Sequence, residues 1–350
     1  MSLKKDKVFD IIVIGTGIAG LNFIDKYLEK NKKINVIAPS INQILKPNIK
    51  QTIKILPSQM RGSYANVENY YHANNLKLKS DCKAIGSLSF GGLSSYWGLQ
   101  IDSYINNDQK NLKKKNIQSI KKYFIEFLKK NNLLGIAKFG KKQKFTNDFN
   151  IPEKLENLNK IKDKEFECKK PIIAFMSKKH FDGDLNRVNE KKQKLTAENF
   201  YKKIKKKNNI IFHNFYLQKI NQKKNLIELV CVKNNKKKKF LAKKIVLATG
   251  TIATTKFLME FLNIKKEIKI KHHPRLLSVF LSKIKFNYNL DFTPSLMQII
   301  SKSTRDYFTA DIRPGNKLIT KSIIEAFPFL RPFKFLINFL RNRLIFSNIL

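Results

Sequence analysis

Phe9-Asp10-Ile11-Ile12-Val13-Ile14-Gly15-Thr16-Gly17-Ile18-Ala19-Gly20 decides the reading of this chain. The residues before the glycines lack the in–out alternation of a half-exposed strand, so they predict a central parallel strand covered on both faces. Gly-x-Gly-x-x-Gly follows directly, and an amphipathic segment continues to about Glu29. Gly15 permits the sharp turn, Gly17 leaves room for a close phosphate, and Gly20 lets the helix pack on the strand. Thr16, Ile18 and Ala19 supply main-chain N–H groups between them. The free N–H groups and positive dipole end at the helix start face the phosphates. A second strand, Ile34-Asn35-Val36-Ile37-Ala38, comes at βαβ spacing, so the turn reads as a dinucleotide cradle. The second strand of such units normally ends in an acid that accepts from the adenosine ribose. Here Ala38 stands there, followed by Pro39 and Ser40, of which Ser40 offers a weaker polar contact. No Arg or Lys follows to hold a 2′-phosphate, so NADP gains no support.

A second stretch, Gly86-Ser87-Leu88-Ser89-Phe90-Gly91-Gly92-Leu93-Ser94-Ser95-Tyr96-Trp97-Gly98, separates the dinucleotides. It resembles the Gly-Gly-x-Ser-x-x-Trp-Gly segment of the glucose–methanol–choline (GMC) oxidoreductases, most closely their pyranose-oxidase-like branch and relatives found with polysaccharide biosynthesis. The resemblance implies that Gly91, Gly92, Ser94, Tyr96 and Trp97 line a flavin and its pyrophosphate. Some members carry a flavin-bonding His where this chain has Tyr96, so the resemblance implies non-covalent FAD. A third stretch, Ala242 to Gly250, looks like the late strand ending in Ala-Thr-Gly, with Ala248 and Gly250 passing beside the flavin. The helix expected over Thr251 to Leu262 matches the family only loosely. Asn209 to Ile220 resembles the strand whose main chain meets the adenine, with Leu217 where the family has Val.

The fold class expected is α/β: a Rossmann-like FAD-binding domain with a mostly parallel sheet, and a discontinuous α+β substrate or cap domain. The boundaries expected are 1–102 with 195–264 for the first and 103–194 with 265–350 for the second. Residues 110–133 read as a helix, 138–170 as Lys-rich loop, and 171–176 as a strand. From Phe327 to Leu350, Phe, Leu and Ile alternate with Arg and Lys. Two readings stand for this tail: a basic amphipathic helix on a membrane surface, or a core-facing helix of the substrate domain.

The resemblance implies removal of a hydride from a CH–OH carbon of a sugar or other alcohol, with a late His as base. The five histidines are His72, His180, His213, His272 and His273, and none follows His273. His272-His273-Pro274 resembles the family's Asp-His-Pro, which is a structural junction and not the usual base; His273 is the catalytic candidate this sequence retains. The family's C-terminal portion is expected to be missing from this sequence. Two alternatives stay open beside the enzyme: a catalytically incompetent flavin binder, or a portion supplied by a separate chain.

The formal net charge is +44, from 70 Lys+Arg against 26 Asp+Glu. Lys, Asn, Ile and Phe are abundant together, and all four have A/T-rich codons, so we read the Lys excess as solvated filler on helix faces and hairpin tips. With no nucleic-acid motif, nucleic acid is not an expected partner, while peripheral contact with an anionic membrane is the remaining cationic reading. Cys82, Cys168 and Cys231 are far apart and form no metal or disulfide pattern. With no signal peptide before the first strand, a cytoplasmic location is expected and no metal is.

Overall fold

The computed structural model describes residues 7–28, 33–39, 88, 90–95, 100–101, 113–139, 142–158, 163, 165–178, 181–204, 209–268, 276–290, 294–301 and 308–349. The chain is mixed α/β and divides into two compact units. One is Met1–Trp97 with Thr196–Lys269, the other Gly98–Leu195 with Ile270–Leu350.

The first unit is built on a six-stranded sheet. Strand Val8–Ile14 lies at its centre, pairing in parallel with Ile34–Ile37 on one side and with the long strand Lys236–Leu247 on the other. Strand Ile210–His213 pairs in parallel with the far side of Ile34–Ile37. Ile11 to Ile14 and all of Ile34–Ile37 are buried, as an apolar run covered on both faces requires. Helix Ile18–Leu28 returns the chain between the first two strands and buries Leu21, Ile24 and Leu28 at helical spacing.

The remaining strands form an antiparallel meander, Tyr216–Lys223, Leu226–Lys233 and Lys236–Leu247. Strand Lys236–Leu247 belongs to both parts. Lys236 to Ala242 pair with Leu226–Lys233, and Leu241 to Leu247 pair with Val8–Ile14. Only Asn214 and Phe215 separate Ile210–His213 from Tyr216–Lys223, yet these strands stand at opposite ends of the strand order. The meander therefore folds back over the parallel strands. Leu217, Ile220, Leu229, Cys231 and Phe240 pack there with Ile12, Ile14 and Ile37 in one core. Each such side chain contributes about 1.5–3 kcal/mol of burial. The mostly parallel sheet expected from sequence is thus a parallel half joined to an antiparallel one. The tight turns at Lys224 and at Asn234–Asn235, all with positive φ, make the second half.

The second unit holds two antiparallel sheets. Gln100–Ile101, Ile172–Met176, Leu133–Phe139 and Lys142–Asn147 form one. Leu276–Leu281, Leu344–Ile349, Thr309–Pro314, Met297–Ser301 and Phe166–Lys169 form the other. The helix expected over 110–133 is observed as Lys114–Asn131, closed by Asn132 in the left-handed region. The loop expected over 138–170 is corrected: it contains strands Lys142–Asn147 and Phe166–Lys169 and helix Glu153–Leu158. Isolated apolar residues among the lysines anchor it, with Phe145, Phe149, Ile151 and Leu155 all buried. The Lys170 ammonium is buried between Asp148, Glu156 and the Phe149 carbonyl.

The tail is also corrected. It is not one helix but a 3-10 segment Pro328–Phe333, a short helix Lys334–Leu340, a turn Arg341–Arg343 and strand Leu344–Ile349. Pro328 and Pro332 prevent a continuous helix, and the apolar Leu344-Ile345-Phe346 run pairs instead with two strands. Among the described residues no helix is long and apolar enough to cross a membrane.

Phe240 joins the two halves of the first sheet, packing near the rings of Phe9, His213 and Phe215. Phe240→Ala is expected to cost about 3–5 kcal/mol, read as a lower urea midpoint; a change within about 0.5 kcal/mol would contradict this architecture.

Candidate functional site

The carboxyl ends of Val8–Ile14, Ile34–Ile37 and Lys236–Leu247 lie together because the three strands are parallel neighbours. From the first strand, the helix connection leads to one side, while the strand on the other side comes from late sequence. That is a topological switch point, where open α/β sheets leave a crevice.

Gly15 opens the crevice. Its φ of +107° is a conformation L residues rarely adopt, and a Cβ there would stand 2.2 Å from the Ala248 carbonyl oxygen. Its N–H donates to the Ile37 carbonyl at 2.9 Å, while Ala248 N–H donates to Ile14 at 2.8 Å. The three strand ends are therefore tied through main chain. Gly20 packs as tightly, its would-be Cβ 2.5 Å from the Gly15 carbonyl oxygen. Gly17 is different: among the described atoms, a Cβ there would meet only the Gly91 carbonyl oxygen, at 3.7 Å. The first bond within the helix is Leu21 N–H to Gly17 at 3.0 Å, so the N–H groups of Ile18, Ala19 and Gly20 precede it.

The glycine loop closes on this turn. Gly91 N–H donates to Thr16 Oγ1 at 3.2 Å, across 75 residues of sequence. Gly91 and Gly92 both have positive φ, at 82° and 57°, which folds the loop into the 3-10 turn Gly92–Ser95. Ser94 adds a short bond from Oγ to the Gly91 carbonyl, at 2.5 Å. Phe90 anchors the loop from behind, buried with its ring 5.3 Å from Tyr201, which in turn meets Phe212 edge-on. Phe90 and Tyr201 were not among the residues read from sequence as functional. An aromatic just before paired glycines was the available signal.

The structure thus brings together Gly15, Thr16, Gly17, Gly20, Gly91, Gly92 and Ser94, with Ala248 against the first turn. Gly250, at φ +85°, starts helix Thr251–Phe261 with no described atom within 4 Å of its would-be Cβ. The hydroxyls of Thr249 and Thr254 lie 3.0 Å apart beside it. Ala38 and Pro39 follow the second strand, and Ala38 N–H donates to His213 at 3.2 Å. Leu217 is buried in the core beneath the meander, so its side chain is not at the crevice. Ser40, Tyr96, Trp97 and His273 lie outside the described residues.

His213 is the one histidine among the described residues. Its Nε2 lies 3.0 Å from Asn35 Oδ1, and its ring packs near Phe9 and Phe240. Burial first, then the Lys238 and Lys7 ammonium groups, hold the imidazole below its usual 6.5. It is a half-buried group held among Asn35, Phe9 and Phe240. Cys231 is equally inert, its thiol pushed up to about 12 by burial. Among the described residues no cluster of His, Cys, Asp and Glu could hold a metal.

No protein-family model matches the sequence, and no curated protein matches it. Solved structures do. The p-nitrophenol 4-monooxygenase of Pseudomonas putida DLL-E4 is similar at 10% identity and a TM-score of 0.34, over 85% of this chain and 56% of that one. A flavoprotein/dehydrogenase of Cytophaga hutchinsonii is similar at 11% identity and a TM-score of 0.32, over 87% and 52%. An L-amino acid deaminase of Proteus vulgaris is similar at 12% identity and a TM-score of 0.27, over 80% and 54%. The chain spans about half the length of these structures.

Two outcomes follow from the site. Gly15→Ala is expected to cost about 3 kcal/mol or more, from strain and a main-chain clash together, seen in urea denaturation; a neutral result would contradict the tie to Ala248. For His213 the native pKa is depressed, so its contribution is complete above the unfolded value of 6.5 and is lost as pH falls through the native value. Between 6.5 and the native value the unfolding free energy should therefore fall more steeply with falling pH in the wild type than in His213→Gln; equal slopes would contradict the half-buried neutral imidazole.

Proposed function

We propose that the chain carries the cofactor site of an FAD-dependent oxidoreductase, and that the whole protein oxidises a CH–OH carbon of a sugar or other alcohol. The observation that carries the cofactor reading is the bond from Gly91 N–H to Thr16 Oγ1. It holds a second glycine loop against a helix N-terminus that already suits a pyrophosphate. At Gly17 the described atoms allow close approach, a Cβ there meeting only the Gly91 carbonyl oxygen at 3.7 Å, and the N–H groups at the helix start suit a phosphate, so the residues present fit the group. A dinucleotide needing two glycine elements, with no 2′-phosphate ligand after Pro39, favours FAD over NADP.

When bound, FAD supplies the acceptor for the two electrons leaving the alcohol carbon. The chain's residues bind and orient it. The N–H groups of Thr16, Gly17 and Ile18 hold the pyrophosphate, with Ala19 and Gly20 completing the first helical turn. Pro39 and Ser40 border the adenosine end, and Leu217 offers only main chain there. Gly91, Gly92, Ser94, Tyr96 and Trp97 border the flavin, and Ala248 and Gly250 take its other side. With Tyr96 where a covalent His stands in some GMC members, the attachment is non-covalent. Ala38 in place of an acid leaves the ribose with fewer partners, so affinity is lower than in sites that have the acid. The alcohol substrate rests on the resemblance of Gly91 to Gly98 to the GMC segment. His273 is the base candidate within this sequence.

The test is titration of the purified chain with FAD, followed by quenching of flavin fluorescence. Saturable binding is expected. Gly17→Ala should keep the fold by circular dichroism yet lose about 1–3 kcal/mol of FAD affinity, the usual effect of a methyl forced into filled space. A folded chain that takes up no FAD, or a Gly17→Ala variant with unchanged affinity, would overturn the assignment. Anaerobic bleaching of the bound flavin by a sugar alcohol tests the substrate class separately.

A further inference from the structure

The corrected tail presents a surface that the cofactor reading does not use. Helix Lys334–Leu340 exposes Phe335 and Phe339 at 84% and 74%, one turn apart on the same face. Phe329 and Phe333 in the preceding 3-10 segment are exposed as well, at 69% and 55%. Phe327 is exposed too, its ring 6.0 Å from Phe329. Isolated exposed apolar residues need no explanation, but five exposed Phe side chains within thirteen residues do.

Beside these rings is a cleft of about 420 Å³ lined by Ile324, Thr320 and Asn338 and by the side chains of Lys317, Lys321, Arg331 and Lys334. Helix Lys317–Ala326 supplies one wall and the tail the other. No Asp or Glu occurs from Phe327 to Leu350, while Arg331, Lys334, Arg341 and Arg343 all do. Protein interfaces are enriched in Phe and Arg but depleted of Lys, so Lys334 amid the exposed rings, together with the absence of any acid in the segment, favours an anionic lipid surface over a protein partner. Aromatic side chains at the acyl boundary with cations at the phosphates is the arrangement of a helix lying on a lipid surface.

We propose that residues 327–343 dock this unit on an anionic phospholipid bilayer, with Phe335 and Phe339 entering the interface and Arg331, Lys334, Arg341 and Arg343 of the same segment at the phosphates. The inference is independent of the cofactor. It differs from general adsorption of a +44 chain, because it assigns insertion to one face.

The experiment separates insertion from adsorption. The full chain is sedimented with phosphatidylcholine vesicles and with phosphatidylcholine vesicles containing phosphatidylglycerol. Binding is expected only to the second. Phe335→Ser with Phe339→Ser should weaken it at least about tenfold. Arg331→Glu with Lys334→Glu should weaken it more than the charge-matched hairpin pair Lys237→Glu with Lys238→Glu. In Phe335→Trp, brominated acyl chains should quench fluorescence beyond that of the chain's single native Trp97, measured in the wild type. No vesicle binding, equal effects of the two charge pairs, or binding without added quenching would each overturn the proposal. So would self-association in solution that the paired Phe variants abolish, since the exposed rings would then belong to a second copy.

Discussion

The parallel pairing of Val8–Ile14 with Leu241 to Leu247 is the constraint on which the first unit depends. It joins sequence from the two ends of the unit and aligns the carboxyl ends of strands that are far apart in the chain. Once that register is set, Ala248 lies against Gly15, and only a residue without a Cβ fits the turn. The turn in turn starts helix Ile18–Leu28 with its N–H groups over the crevice. The same strand extends back into the meander, whose inner face supplies the core beneath. The glycine turn and a hydrophobic core are therefore two consequences of one twelve-residue strand.

The cradle is assembled by main chain rather than by charged side chains. Thr16 contributes a hydroxyl, but it spends it on Gly91 N–H. Such a site takes its affinity from N–H groups and a helix dipole, which tolerate a range of phosphate ligands. In the proposed site, selectivity would fall to the second strand end at Ala38 and Pro39, the loop from Phe90, and the start of helix Thr251–Phe261. The high net charge of the chain adds attraction for any anion, which salt weakens.

The cradle was legible because its parts obey local rules. An apolar run, three spaced glycines and an amphipathic helix each leave a pattern within a few residues. The Gly91 loop was legible only through its resemblance to a family segment, since nothing local says that it must meet Thr16. The meander was half legible: the lysines at 236–239 marked a hairpin tip, but the pairing of Leu226–Lys233 with both neighbours is a long-range outcome. Residues 138–170 misread as loop because single buried aromatics, Phe145 and Phe149, carry the packing among many lysines. The tail misread as helix because its apolar and basic residues recur at helical spacing, while Pro332 and the pairing of Leu344–Ile349 override that spacing. In both, tertiary burial outweighed composition.

A crystal structure of the chain grown with FAD is the most direct measurement. The account predicts pyrophosphate oxygens within about 3 Å of main-chain N–H groups in the turn from Thr16 to Ile18, with the Gly91 loop closed over the same molecule. FAD bound elsewhere, or a turn and loop that part around an empty crevice while FAD is present, would contradict it.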